Sequence, residues 1–177
     1  MTKKFVPVNE PLVGKEEKKY LINCISKNQI SSSGFYVKEF EKKFAKKVRR
    51  KYAVSVSNGT AAIQLAFEAL NLKKGDEVIV PSFTIISCIL PIIRLGARPV
   101  LVDCDPRTWN MDAEKTINLI TKKTKAIILV NIYGLCVDMD KILKICKKKK
   151  IKILEDSAES LGLKYKGKPC GSFGDVS

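Results

Sequence analysis

Apolar residues recur with a helical period in the first part of the chain. Two segments, residues 14–26 and 36–48, carry apolar side chains at the spacing that places them on one face of a helix. In the second segment this stripe consists of Phe40, Phe44 and Val48. A Ser-Ser-Ser-Gly stretch, typical of a turn, separates the two segments. The pattern therefore predicts two amphipathic helices.

From Tyr52 onward, short apolar, β-branched runs alternate with segments of helix length. The runs predict strands at residues 52–56, 77–80, 99–102, 126–130 and 151–154. The segments between them predict helices at residues 61–70, 84–95, 112–120 and 138–149. Strands that are apolar on both faces and joined by helices form a sheet that is covered on both sides. The sequence therefore predicts an α/β fold with a mostly parallel sheet and helices on both faces.

Polar residues follow the predicted strands, and ligands of parallel sheets bind at the carboxyl ends of the strands. Residues 57–62 read Ser-Asn-Gly-Thr-Ala-Ala and open a predicted helix. Backbone N–H groups and the helix dipole at such a position favour a phosphate group. The same residues also suit an ordinary helix cap. Taken alone, this motif leaves both interpretations open.

Two carboxylates, Glu155 and Asp156, end the last predicted strand. A carboxylate at this edge needs solvent or a cationic partner, because burying it unpaired is costly. If the partner is a protonated pyridine nitrogen, Asp156 would hold the ring of pyridoxal phosphate as an electron sink. A helix-capping aspartate is the alternative. We expect Glu155 to lie on the outer side of the same strand end.

Composition narrows the classes of function. The chain has no histidine, which excludes a histidine base from this stretch, and its six cysteines are scattered, so we expect buried free thiols and no metal site. The longest apolar run, residues 85–93, is interrupted and too short to cross a bilayer. Residues 1–9 show no secretory signal. These features predict a cytoplasmic protein without a membrane partner.

The net charge of +15 raises the question of nucleic-acid binding. Of the 33 basic residues, 28 are lysine, whereas arginine is the better bidentate reader of phosphate and guanine. Many of the lysines lie where predicted helices face water. We therefore expect solvated surfaces and no nucleic-acid partner. A non-catalytic α/β module that binds an anionic ligand or nucleic acid through its lysines is kept as an alternative.

Taken together and in this order, the motifs resemble one family. The chain is similar to the amino-terminal part of the pyridoxal-phosphate-dependent sugar aminotransferases of the DegT/DnrJ/StrS family, and most resembles its perosamine synthase-like branch. The matching stretches cover essentially the whole chain and include residues 30–34, 52–62, 75–84, 96–103, 124–128, 133–134, 155–159, 165–168 and 171–175.

The resemblance implies the large domain of the aspartate-aminotransferase-type fold, also called PLP fold type I. Residues 1–177 would form an incomplete cofactor-binding large domain, with an amino-terminal helical segment over residues 1–50. The small carboxy-terminal domain would be absent. The family's Schiff-base lysine lies shortly beyond the position of Ser177, and the resemblance therefore implies that this chain alone is inactive.

The resemblance also implies roles for particular residues. Gly59, Thr60 and Ala61 would hold the cofactor phosphate. Asp156 would pair with the pyridine nitrogen, and Glu159 would lie near the phenolic oxygen of the cofactor or near the substrate. The segment from Ser82 to Ser87 would pass over the face of the ring.

Two features of the sequence differ from what the family pattern would place at the site: the residue at position 85 and the positions of the last lysines. Ile85 occupies a position where the family usually has an aromatic residue, so that it offers apolar contact with the ring but no π-stacking. Three lysines near the end of the chain come too early to be the Schiff-base lysine, and we expect them on a surface strand and turn: Lys164, Lys166 and Lys168.

The function that the resemblance implies is conversion of a nucleotide-linked keto-sugar to an amino-sugar in surface polysaccharide biosynthesis. The implied cofactor is pyridoxal phosphate, the amino donor glutamate, and the full-length form a homodimer. A dehydratase of the same family, in which the lysine is replaced, is the alternative within the family, because the deciding position lies beyond Ser177.

Overall fold

The structure, a computed structural model, describes residues 5–7 and 10–177. The start of the predicted segment 1–50, and most of the stretch assessed for a secretory signal, lie outside the described residues. The chain divides into two compact units, Met1–Phe40 and Glu41–Ser177. Among the described residues, no helix combines the length and apolar character needed to cross a membrane.

The two predicted amino-terminal helices are confirmed. Helix α1 spans Lys15–Ser26, and helix α2, which begins in the first unit and ends in the second, spans Phe35–Lys47. The Gly14 backbone N–H donates to Glu17 Oε2 at 2.7 Å, which satisfies one of the free donors at the start of α1. Within the first unit, the Tyr36 hydroxyl donates to Asn23 Oδ1 at 3.1 Å.

The second unit contains a parallel sheet of four strands in the order β2-β1-β3-β4, which confirms the predicted parallel sheet and four of the five predicted strands. The strands are β1 Glu77–Pro81, β2 Arg98–Val102, β3 Thr124–Val130 and β4 Lys152–Asp156. The helices are α3 Gly59–Ala69, α4 Leu90–Arg94, α5 Ala113–Asn118 and α6 Met139–Lys149. A two-stranded antiparallel hairpin follows the sheet, with β5 at Lys164–Tyr165 and β6 at Lys168–Pro169. The three late lysines therefore lie on a strand and turn, as expected.

Both faces of the sheet are buried, which confirms the predicted layering. Successive side chains of a strand point to opposite faces, so the two central strands contribute to two separate cores. One core contains Val78 and Ile128 together with Phe67 of α3. The other contains Ile127 and Leu129 together with residues of α6, among them Met139 and Ile142. The rigid sheet therefore supports the residues that follow each strand.

The structure contradicts two details of the predicted element pattern. Residues 52–56 form no strand, and Tyr52 and Val54 are largely exposed, because a β-branched run becomes a strand only where a partner strand lies beside it. The predicted helix 84–95 is divided into a 3₁₀ helix at Ile86–Cys88 and α4. Pro91, which lacks an N–H and is suited to the first turn of a helix, lies in the first turn of the second piece.

The last described residues pair with the edge strand β4. The Asp175 N–H donates to the Ile153 carbonyl at 2.7 Å, and the Glu155 N–H donates to the Val176 carbonyl at 2.9 Å. A Cβ atom added to Gly174 would lie 2.6 Å from the Val176 carbonyl oxygen and 2.8 Å from that of Ile153. Only glycine therefore allows this approach to β4.

Candidate functional site

The carboxyl ends of β1, β3 and β4 meet at one edge of the sheet. Side-chain and backbone contacts connect the segments that follow these strands. The Phe83 ring lies 5.0 Å from that of Trp109 and 6.1 Å from that of Tyr133, measured between centroids. The Tyr133 N–H donates to Glu159 Oε2 at 2.6 Å. The residues after the three strands thus form one continuous surface, as expected for a ligand site of a parallel sheet.

The N-terminus of α3 reaches the same surface. Helix α3 begins at Gly59, and the hydroxyl oxygens of Thr60 and Ser87 lie 2.8 Å apart. The first-turn N–H groups of Gly59 and Thr60 have no partner within the helix. A Cβ atom added to Gly59 would meet no other atom within 4 Å, so that packing inside the chain does not explain the glycine. The helix start is therefore open enough for an anion to approach the backbone.

Ala61 differs from its two neighbours. Asn58 is the N-cap of α3, and its Oδ1 atom accepts the Ala61 N–H at 2.9 Å. The helix-cap interpretation of this motif is thus correct for Asn58, but it accounts for the Ala61 N–H group alone. An anion at this helix start would find the N–H groups of Gly59 and Thr60 available and would share that of Ala61 with the Asn58 side chain.

Asp156 ends β4 with its carboxylate half-buried and bonded on both oxygens. Oδ1 accepts the Ala158 N–H at 3.1 Å, and Oδ2 accepts the Cys88 thiol at 3.5 Å. Burial raises the pKa of the Cys88 thiol to about 12, and the Asp156 charge adds to this shift. Cys88 therefore stays protonated and acts as the donor.

Ser87 and Cys88 link the two halves of the site. The family resemblance placed Ser87 at the end of the segment over the ring face, whereas Cys88 was not identified from the sequence. Ser87 contacts Thr60 at the start of α3, and its neighbour Cys88 contacts Asp156 at the end of β4. Thr60 and Ser87 are 27 positions apart in the chain, and Cys88 and Asp156 are 68 positions apart. The motif at residues 81–84 pointed to this segment, but periodicity alone contains no signal for such long-range pairs.

Ile85 and Glu159 are both accessible at this edge. Ile85 immediately precedes the 3₁₀ helix, and its exposed fraction is 62%. Glu159 is exposed as well, and its carboxylate is held by the Tyr133 N–H group, which lies in a backbone conformation with φ of +51°. Both side chains are therefore exposed on the surface formed after these strands.

Glu155 does not lie on an outer surface, so that expectation is wrong. Its exposed fraction is 1%, because residues 171–174 fold over the sheet face opposite to Asp156. Oε1 accepts the Gly171 N–H at 2.7 Å, and Oε2 accepts the Phe173 N–H at 2.8 Å. The Asn131 amide and the Ser157 hydroxyl each donate to Oε1 at 3.2 Å. Glu155 therefore organises the loop behind the site.

The six cysteines are all free, and Cys88, Cys146 and Cys170 are buried as expected. Cys24, Cys104 and Cys136 are partly exposed, so that the expectation of buried thiols holds for half of them.

Fold and site together define an α/β protein whose sheet edge combines an open helix N-terminus with a carboxylate at a neighbouring strand end. The chain belongs to the DegT/DnrJ/EryC1/StrS aminotransferase family, whose model matches residues 11–177. The predicted resemblance is thereby confirmed over nearly the whole chain.

Individual relatives agree with this assignment. The GDP-perosamine synthase of Escherichia coli O157:H7 is 45% identical over 174 residues, which are 98% of this chain and 48% of that protein. An aminotransferase from Psychrobacter cryohalolentis superposes with a TM-score of 0.89 at 35% identity, covering 97% of this chain and 43% of that one. The E. coli GDP-4-keto-6-deoxy-D-mannose-3-dehydratase with bound hydrated PLP also superposes with a TM-score of 0.89, at 37% identity. This match covers 95% of this chain and 44% of that one. The chain spans just under half the length of these relatives.

Proposed function

We propose that the whole protein transfers an amino group to a nucleotide-linked keto-sugar, with pyridoxal phosphate as cofactor and glutamate as amino donor, in the cytoplasm. The observation that carries the proposal is the link through Ser87 and Cys88, which connects an open helix N-terminus with the carboxylate of Asp156. A phosphate and a pyridinium nitrogen at opposite ends of one ligand need these two kinds of group. The 45% identity with a GDP-perosamine synthase supports the same proposal.

Residues of this chain have distinct proposed roles toward the cofactor. The N–H groups of Gly59 and Thr60, with the Thr60 hydroxyl, hold the phosphate, and Ala61 contributes its N–H only in competition with the Asn58 cap. The Asp156 carboxylate keeps a proton on the pyridine nitrogen. When bound, pyridoxal phosphate supplies an electron-accepting ring.

Ile85 and Glu159 complete the proposed site. Ile85 gives apolar contact to the ring face, and Glu159 lies near the phenolic oxygen of the cofactor or near the substrate. We also propose that residues 1–177 belong to the cofactor-binding large domain, with residues 1–50 as its amino-terminal helical segment. The whole protein would act as a homodimer in the synthesis of surface polysaccharide.

A dehydratase of the same family is the second candidate, because the E. coli 3-dehydratase superposes with a TM-score of 0.89, equal to that of the aminotransferase from Psychrobacter cryohalolentis. One experiment distinguishes the two candidates. The longest protein that the gene encodes is incubated with pyridoxal phosphate, glutamate and GDP-4-keto-6-deoxymannose, and the products are identified by mass spectrometry. An amino-sugar nucleotide formed together with 2-oxoglutarate supports the aminotransferase. A sugar that has lost its 3-hydroxyl group supports the dehydratase, and an unchanged substrate with cofactor-loaded protein would contradict both activities on this GDP-sugar.

Thr60→Val is expected to weaken pyridoxal phosphate binding by roughly tenfold, since it removes one hydrogen bond to a charged group. The measurement is a titration of cofactor-free protein followed by absorbance. Thr121→Val is the matched control, because Thr121 donates to Glu77 at the opposite edge of the sheet. Equal cofactor affinity of the Thr60 and Thr121 variants would show that the Thr60 hydroxyl does not contact the phosphate.

Ile85→Phe is expected to tighten pyridoxal phosphate binding by about two- to tenfold, because an aromatic ring adds stacking to the apolar contact. The exposed position of Ile85 leaves room for the larger side chain without disturbing a core. The same titration measures the change, and Ile93→Phe, at an exposed position on α4, serves as the control. Unchanged affinity of the Ile85 variant would show that this side chain does not face the ring.

A further inference from the structure

Two cysteines that the proposed function does not use lie in contact. The sulfur atoms of Cys136 and Cys170 are 3.0 Å apart, although the residues are 34 positions apart in the chain. A disulfide bond has a length of about 2.05 Å, so that the sulfurs would need to approach by only about 1 Å. All six cysteines lie among the described residues, and within that part of the chain no other two of them form a sulfur contact.

The two thiols differ in accessibility. Cys136 lies in the loop between β3 and α6 and is partly exposed, whereas Cys170, which follows β6, has an exposed fraction of 2%. Burial raises the pKa of the Cys170 thiol to about 12, and the neighbouring Cys136 sulfur adds to this shift. A dissolved oxidant can therefore reach Cys136 first, while Cys170 stays protonated behind it.

We propose that Cys136 and Cys170 are an oxidation-sensitive pair that closes into a disulfide when hydrogen peroxide reaches Cys136. In the first step, the Cys136 thiol is oxidised to a sulfenic acid and the peroxide is reduced to water. In the second step, the Cys170 sulfur attacks the Cys136 sulfur, the S–O bond breaks, and the hydroxyl leaves with the Cys170 proton as a second water. Two thiols and one peroxide thus give one disulfide and two waters.

The disulfide would join two loops that flank the end of β4. The loop of Cys136 also carries Tyr133, whose N–H group holds Glu159. Cys170 directly precedes Gly171, whose N–H group donates to the buried Glu155. Closing the bond restricts both loops and the chain between them. Oxidation should therefore stabilise the fold and raise its thermal midpoint by roughly 5 to 10 °C, an effect that a reductant reverses.

The test uses the longest protein that the gene encodes, reduced, freed of reductant and treated with hydrogen peroxide. Remaining thiols are alkylated under denaturing conditions, and proteolytic peptides are identified by mass spectrometry. The expected result is a linked pair of peptides containing Cys136 and Cys170, lighter by two hydrogen atoms than the sum of its parts. The thermal midpoint of the same sample is expected to rise.

Two variants complete the design. Cys136→Ser should show no linked peptide and no peroxide-dependent rise of the midpoint. Cys104→Ser, which removes another partly exposed thiol, should behave like the unsubstituted protein. Because the peptide analysis is made on the unsubstituted protein, a misfolded variant does not weaken it. Alkylation of both Cys136 and Cys170 after peroxide treatment that oxidises Cys104, or linkage of either to a different cysteine, would overturn the proposal.

Discussion

Asp156→Asn is expected to lower the turnover of the full-length protein by about 10²- to 10⁴-fold, with pyridoxal phosphate still bound. Asparagine keeps nearly the same shape but removes the charge that would hold a proton on the pyridine nitrogen. The phosphate contacts at Gly59 and Thr60 are untouched by this change, so cofactor affinity should fall far less than turnover. Single-turnover kinetics with glutamate measure the rate of amino transfer, and a cofactor titration measures the affinity for pyridoxal phosphate.

The control for this prediction is Asp140→Asn. Asp140 is an exposed carboxylate in the first turn of α6 that pairs with Lys166, so the change removes the same charge away from the proposed site. Turnover of the Asp140 variant should stay close to that of the unsubstituted protein. Near-normal amino transfer by the Asp156 variant would show that a different group carries the proposed role.

Glu155→Gln is expected to lower the free energy of unfolding by about 2 to 5 kcal/mol, through the structure rather than the chemistry. Both carboxylate oxygens accept hydrogen bonds from buried or half-buried N–H groups, Oε1 from Gly171 and Oε2 from Phe173 and Gly174. Glutamine has only one acceptor oxygen. Its NH₂ group must therefore face either the Gly171 N–H group or the N–H groups of Phe173 and Gly174. Each buried donor left without an acceptor costs about 1 to 3 kcal/mol.

The half-buried guanidinium of Arg50 adds to this loss. Its Nε atom donates to the Gly171 carbonyl at 2.8 Å, and the Glu155 charge partly offsets the lowering of the Arg50 pKa by burial. Without the Glu155 charge, the cost of burying the Arg50 cation is offset less. Urea unfolding of the variant measures the effect, and Asp156→Asn is the comparison one position away. A loss below about 1 kcal/mol for Glu155→Gln would contradict the proposed anchoring of residues 171–174.

The pairing of Glu155 and Asp156 shows where sequence reasoning ends. The sequence reasoning placed both carboxylates at the end of one strand and expected Glu155 on its outer side. The structure confirms the strand end but not the outer position of Glu155. The pattern could not show that residues 171–174 return to cover Glu155, because that contact joins distant parts of the chain. For the same reason, the run 52–56 looked like a strand, although no partner strand lies beside it among the described residues.

The sequence by itself determined the parallel α/β layering, the positions of the four sheet strands, and the family. These features depend on local periodicity and on motifs that are contiguous in the chain. Only the tertiary structure decided that Ser87 and Cys88 link the start of α3 to Asp156, and that Cys136 meets Cys170. These contacts arise from how loops pack after the strands are in place. Their energies depend on distance in space, which a hydrophobic pattern does not encode.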